Sequence, residues 1–142
     1  MTTEYMSFER FLCDEAYWHV QVSASNGCFA GTQDFYVEPE TLRKLGADFC
    51  EFPTSIKNEV CFQLGDRIGN WAHFVLVRAF LFDSVGHSAI EFSVDNNSTP
   101  PHSAQATFFI YAEVASINRL GQQLQEWGIA PVEPLIWLPQ TS

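Results

Sequence analysis

Apolar and polar residues alternate along much of the chain, and the alternation marks strands. From Tyr17 to Ala24, Trp18, Val20, Val22 and Ala24 point one way, while Tyr17, His19, Gln21 and Ser23 point the other. Ser25-Asn26-Gly27 reads as a turn, with Asn-Gly supplying the positive φ angles of a tight hairpin. Cys28 to Val37 returns as a second strand, with Phe29, Gly31, Gln33, Phe35 and Val37 on one face. An earlier strand is expected near Tyr5 to Cys13.

The period then changes to that of a helix. Pro39 fits a first helical position, where its missing N–H costs nothing, and Glu38 and Glu40 stand at the positive end of the dipole. Leu42, Leu45 and Phe49 recur at helical spacing. Gly46 weakens this helix by about 1 kcal/mol relative to Ala, and Phe52-Pro53 ends it.

Strand patterns fill most of the second half. Glu59 to Gly65 alternates, with Val60, Phe62 and Leu64 on one side. Trp71 to Phe82 is apolar on both faces and reads as a central strand covered on each side. His87 to Val94 points Ile90, Phe92 and Val94 inward. Residues 95–101 form a loop ending in Pro100-Pro101. Gln105 to Glu113 carries Ala106, Phe108, Ile110 and Ala112 on one face. A closing helix comes next, with Ile117, Leu120, Leu124 and Trp127 as its apolar stripe and Gly128 as its stop. Tight turns and strict alternation predict an α+β fold: a mainly antiparallel β-sheet or sandwich of about seven strands with two short helices. Residues 1–142 are expected to form a single domain, with 129–142 an extended C-terminal tail packed on it.

Composition adds limits. The chain has 142 residues, 46% hydrophobic and 15% aromatic, which suits a packed core. No apolar run reaches the roughly 18 residues of a membrane helix. The first ten residues carry no basic n-region and no apolar h-region, so a cytoplasmic location is expected. Cys13, Cys28, Cys50 and Cys61 are widely spaced without a CxxC pair, and buried thiols are expected rather than disulfides or ligands. A formal net charge of −10 argues against nucleic acid and against an anionic membrane as partner. It permits a basic protein partner, and it equally serves solubility alone.

No GxGxxG, GxxxxGK[ST], HExxH or GxSxG motif is present, and Asp66 to Asn70 lacks the glycines of a phosphate cradle. Asp83 and His87 flank the turn Ser84-Val85-Gly86, where a carboxylate holding an imidazole is the start of a general base. The plainer reading is a surface turn hydrogen bond. His73, His87, His102 and Asp83 lack the close pairing of a zinc site, so no metal and no cofactor are expected. Arg78, inside an apolar strand, calls for a carboxylate, and Glu91 lies opposite if the two flanking strands pair about Ser84-Val85-Gly86. Most of the many aromatic residues are expected in the core, with Tyr36, Tyr111, Trp127 and Trp137 as candidates for an exposed patch.

The segment Gly27-Cys28-Phe29-Ala30-Gly31-Thr32-Gln33-Asp34-Phe35-Tyr36-Val37, followed by Leu42 and Leu45 on a helix, resembles the start of small bacterial proteins of the wall-associated-protein immunity type. Later strands and the closing helix keep the order of that family. The resemblance implies a cytoplasmic protein that neutralises a cognate toxin, with no catalytic residues. The Asn96–Pro101 loop and Gly121 in the second helix depart from it.

Charge, missing motifs and surplus aromatics lead to the same expectation: a non-enzymatic protein-binding module with a protein partner, in the sharpest form a basic toxin. Its binding residues are expected to be Asp34, Tyr36 and Glu38 at one strand end and Asp95 with Asn96 in the long loop. Two alternatives stay open, a small-ligand pocket between sheet and helix and a small enzyme using Asp83 and His87. A homodimer is compatible with all three.

Overall fold

The computed structural model describes residues 3–11, 16–54, 59–65 and 73–139. Its elements are β1 (Glu4–Phe11), β2 (Trp18–Asn26), β3 (Ala30–Val37), α1 (Pro39–Glu51), β4 (Glu59–Leu64), β5 (Phe74–Leu81), β6 (Ser88–Asp95), β7 (Gln105–Tyr111), α2 (Val114–Trp127) and β8 (Leu135–Trp137). They make an α+β fold with two four-stranded antiparallel sheets, ordered β3-β2-β1-β8 and β4-β5-β6-β7. Cys13, Trp71 and the Asp66–Asn70 turn lie outside the described residues.

Period-two patterning assigns each sheet an inner and an outer face. Val20, Val22 and Phe35 of the first sheet and Val77, Ile90, Phe92 and Ile110 of the second enter one core. The helices add Leu42, Leu45 and Phe49 from α1 and Ile117, Leu120 and Leu124 from α2. Both helices therefore end where their apolar stripes end, α1 at Phe52-Pro53 and α2 at Gly128.

The helices cross at two glycines. A Cβ on Gly46 would stand 2.7 Å from the Gly121 carbonyl oxygen, and one on Gly121 would stand 2.5 Å from that of Gly46. The glycines that weaken each helix locally are the ones that let the two backbones touch. Asn118 Nδ2 then donates to the carbonyls of Phe49 and Phe52, at 2.8 and 2.9 Å, and satisfies the end of α1.

The described part of the tail begins in turns at the end of α2, and residues 135–137 of it become a strand on the edge of β1. Trp137 Nε1 donates to the Ser116 carbonyl at 2.8 Å, and Ser116 Oγ donates to that of Pro139 at 2.8 Å. Gln123 and Trp127 donate to the carbonyls of Ile136 and Glu133. The tail is thus stitched to α2 as well as to the first sheet.

Several local expectations need correcting. In the β2–β3 hairpin only Gly27 takes a positive φ, 94°. Asn26 instead uses Oδ1 to accept the N–H groups of Cys28 and Phe29. Phe29 belongs to this turn and is exposed, not inward. Cys28 and Cys61 are exposed free thiols and Cys50 is half-buried, because Cys28 sits at the turn and Cys61 on an outer face. Trp127 and Trp137 are buried, since tail and α2 close over them. Finally, β5 is central in its sheet but covered on one side only. Among the described residues no helix is long and apolar enough to cross a membrane.

Candidate functional site

The uncovered face of the second sheet carries the densest set of exposed rings. Along β5, Val75, Val77 and Ala79 go inward, so Arg78 and Phe80 go outward, and Phe82 continues that side past the strand end. In β7, Phe108 and Ile110 go inward and Phe109 and Tyr111 outward. Register places Phe80 opposite Ala89 and Ala89 opposite Tyr111. The small Ala89 side chain leaves room for rings to gather above it.

They gather in two groups, Phe80 with Phe109 and Phe82 with His87 and Tyr111. Phe80 and Phe109 meet edge to face at 5.8 Å, as do Phe82 and Tyr111 at 6.1 Å. The His87 ring is stacked near Phe82, at 6.0 Å and 21°, and lies 6.5 Å from Tyr111. Asp83 fixes that imidazole. Its Oδ1 accepts the backbone N–H groups of Val85 and His87, each at 3.0 Å, and its Oδ2 bonds His87 Nδ1 at 2.5 Å. The backbone and side-chain bonds from His87 hold the Asp83 carboxyl below the usual carboxylate range. Asp83 and His87 thus meet across the hairpin end, where they close the turn and position a ring. Phe82, Phe109 and Tyr111 are 51%, 50% and 43% exposed. Beyond His87 and Tyr111 a hollow of about 320 Å³ continues to the start of α2, lined also by Glu113 and Val114.

Arg78 stands beside the rings. Its guanidinium lies 4.1 Å from the Phe80 ring centroid. Nε donates to Glu91 Oε1 and Nη1 to Glu59 Oε2, both at 2.8 Å. Desolvation disfavours its charge, but the bonds to Glu91 and Glu59 outweigh that and leave its pKa raised. One cation is thus held by two carboxylates, and this part of the face offers no surplus positive charge.

The other expected binding residues are split. Asp34 and Tyr36 lie on the outer face of the first sheet, and Glu38 stands just before α1 without a side-chain bond to its first turn. Asp34 Oδ2 bonds His19 Nε2 at 2.8 Å, which holds its carboxyl below the ordinary value against the opposing effect of burial. His19 stacks on Tyr36 at 4.7 Å and 19°, with Phe11 5.1 Å away on its other side. Asp95 and Asn96 do not join them. Asn96 lies by the opposite end of β3, near Ala30 to Gln33. Asp95 and Asn96 accept backbone N–H groups of Asn97, Ser98 and Ala104 and shape their own loop. Among the described residues no three His, Cys, Asp or Glu side chains gather as metal ligands, so His73, His87 and His102 stay apart.

The sequence does not single out Phe80, Phe82 and Phe109 among the aromatic residues, most of which are expected in the core. Strand parity held a contrary signal, because each sits on the face opposite its fully apolar neighbours.

No protein-family model matches the chain, and no curated protein sequence matches it. Among solved structures it is similar to WHY3 from Arabidopsis thaliana, with a TM-score of 0.50 and 11% identity over 90% of this chain and 83% of that one. It is also similar to the plant transcriptional regulator PBF-2, with a TM-score of 0.42 and 11% identity over 91% and 81%. These findings correct two expectations. The layout that suggested a toxin-neutralising protein with a basic partner is shared with WHY3, since one order of strands and helices serves unrelated functions. The exclusion of nucleic acid, which rested on net charge alone, is withdrawn with it.

Proposed function

We propose that this protein binds single-stranded nucleic acid by stacking unpaired bases on the rings of its second sheet. The observation that carries the reading is the pair of ring groups, Phe80 with Phe109 and Phe82 with His87 and Tyr111, on one sheet face where Phe82, Phe109 and Tyr111 are exposed. An exposed aromatic row on a four-stranded sheet accepts splayed bases through their π faces. Paired bases hide those faces inside the duplex, so the ligand is single-stranded. The salt-bridged Arg78 supplies little attraction for phosphates, and the backbone of the strand runs away from the face. A cytoplasmic location belongs to the same reading.

The test is fluorescence anisotropy with labelled DNA and RNA homopolymers of about ten nucleotides, within the site sizes of such binders. Each base stacked on an aromatic side chain contributes about 1–3 kcal/mol. Phe82→Ala and Tyr111→Ala should therefore each weaken binding by roughly 5- to 150-fold, with unchanged far-UV circular dichroism. Wild-type protein that binds no homopolymer at about 100 μM, the weak end of non-specific affinity, overturns the reading.

A further inference from the structure

We propose a second base-stacking site, formed by Phe11, His19 and Tyr36 on the outer face of the first sheet and selective for bases with an exocyclic amino group. The inference rests on the reading that unpaired bases are the ligand. It concerns residues that share no strand with the first platform.

The two places share one set of residue types. In the second sheet an imidazole packs with a Phe and a Tyr, which also meet each other, and is held by an Asp: His87, Phe82, Tyr111 and Asp83. In the first sheet the same four residue types recur as His19, Phe11, Tyr36 and Asp34. Here the three rings come from three adjacent strands at one level, since Phe11 is the register partner of His19 and His19 that of Tyr36. Asp34, two residues before Tyr36 on the same face, bonds the imidazole and sets its plane. The row stays open to solvent, with Tyr36 61% exposed and Phe11 also exposed. A row built only to pack would be covered, whereas this one presents π surface in a fixed orientation.

Charge selects among bases. The next level of the same face is Glu9, Gln21 and Asp34, and Arg10 is turned away, over the Trp18 ring. Asp34 uses one oxygen on His19, and its half-exposed carboxylate keeps acceptor capacity. An amino group of adenine or cytosine donates to such a border, whereas the carbonyl oxygens of thymine or uracil are repelled by it. Because the inner faces of both sheets enter one core, the outer faces look in different directions. Two short strands can then bind at once.

Isothermal titration with short homo-oligomers of dA, dC and dT, about four nucleotides each, separates the outcomes. The expected result is two dC or dA oligomers per chain and a clear preference over dT. Tyr36→Ala and Tyr36→Leu should each remove one of the two and leave the affinity of the other unchanged. Asp34→Asn, which keeps a hydrogen-bonding partner for His19, should abolish the preference against dT at this site only. One oligomer per chain, lost in Phe82→Ala and untouched in Tyr36→Ala, overturns the second site while the first stands. No binding of any oligomer by the wild type overturns both.

Discussion

Gly46 and Gly121 carry opposite meanings at two levels. Read along the chain, each is a poor helix residue. In the fold, each is the only residue that fits, with the facing carbonyl oxygen 2.7 and 2.5 Å from where a Cβ would be. Gly121→Ala gains about 1 kcal/mol of helix propensity, yet it forces two backbones apart. The net effect should be destabilisation by about 1–3 kcal/mol, the usual range for overpacking, and Gly46→Ala should behave alike. Urea denaturation measures it, and a stabilised variant would show that the helices are not in contact here. Phenylalanine shows the same ambiguity. Phe108 is buried and Phe109 half-exposed, and only strand parity tells them apart.

At the scale of elements, period and punctuation were legible. The β2–β3 hairpin, α1 behind Pro39, and the pairing of Arg78 with Glu91 across the β5–β6 turn all lie where local pattern puts them. β8 was not legible as a strand. Three residues flanked by prolines have too little period, and they become a strand only because β1 has a free edge. Its inward and outward residues should differ sharply. Trp137 is fully buried, so Trp137→Ala should cost about 3–5 kcal/mol. Ile136 is exposed on the outer face, so Ile136→Ala should stay within about 0.5 kcal/mol. Equal urea midpoints for the two variants would mean that the tail is not part of the cooperative unit.

Taken as a whole molecule, the chain combines a net charge of −10 with two open aromatic faces. Ordinary nucleic-acid binders neutralise phosphates, and their affinity drops about 10³-fold or more between about 50 and 200 mM salt. Here the strand would be held by its bases while its phosphates are repelled. Added salt screens that repulsion, so affinity for oligo-dC should stay level or rise over the same range. A steep fall would place phosphates against Lys and Arg and move the site off the rings.

Period, turn residues and charge are local properties. From them the sequence by itself determined the positions of both helices and of seven strands, the antiparallel class, the inward side of the strands that alternate cleanly, and the acidity. Which sides are left uncovered is not local. It depends on where α1, α2 and the tail come to pack, through contacts between residues far apart in the chain. Tyr36 and Tyr111 are exposed as expected, but only the tertiary structure could decide that Trp127 and Trp137 are core, that Phe82 is surface, and that Phe11, His19 and Tyr36 stand in one row. A ring buries equally well against any apolar neighbour, so its presence in a strand says how it would pack and not whether anything arrives to cover it.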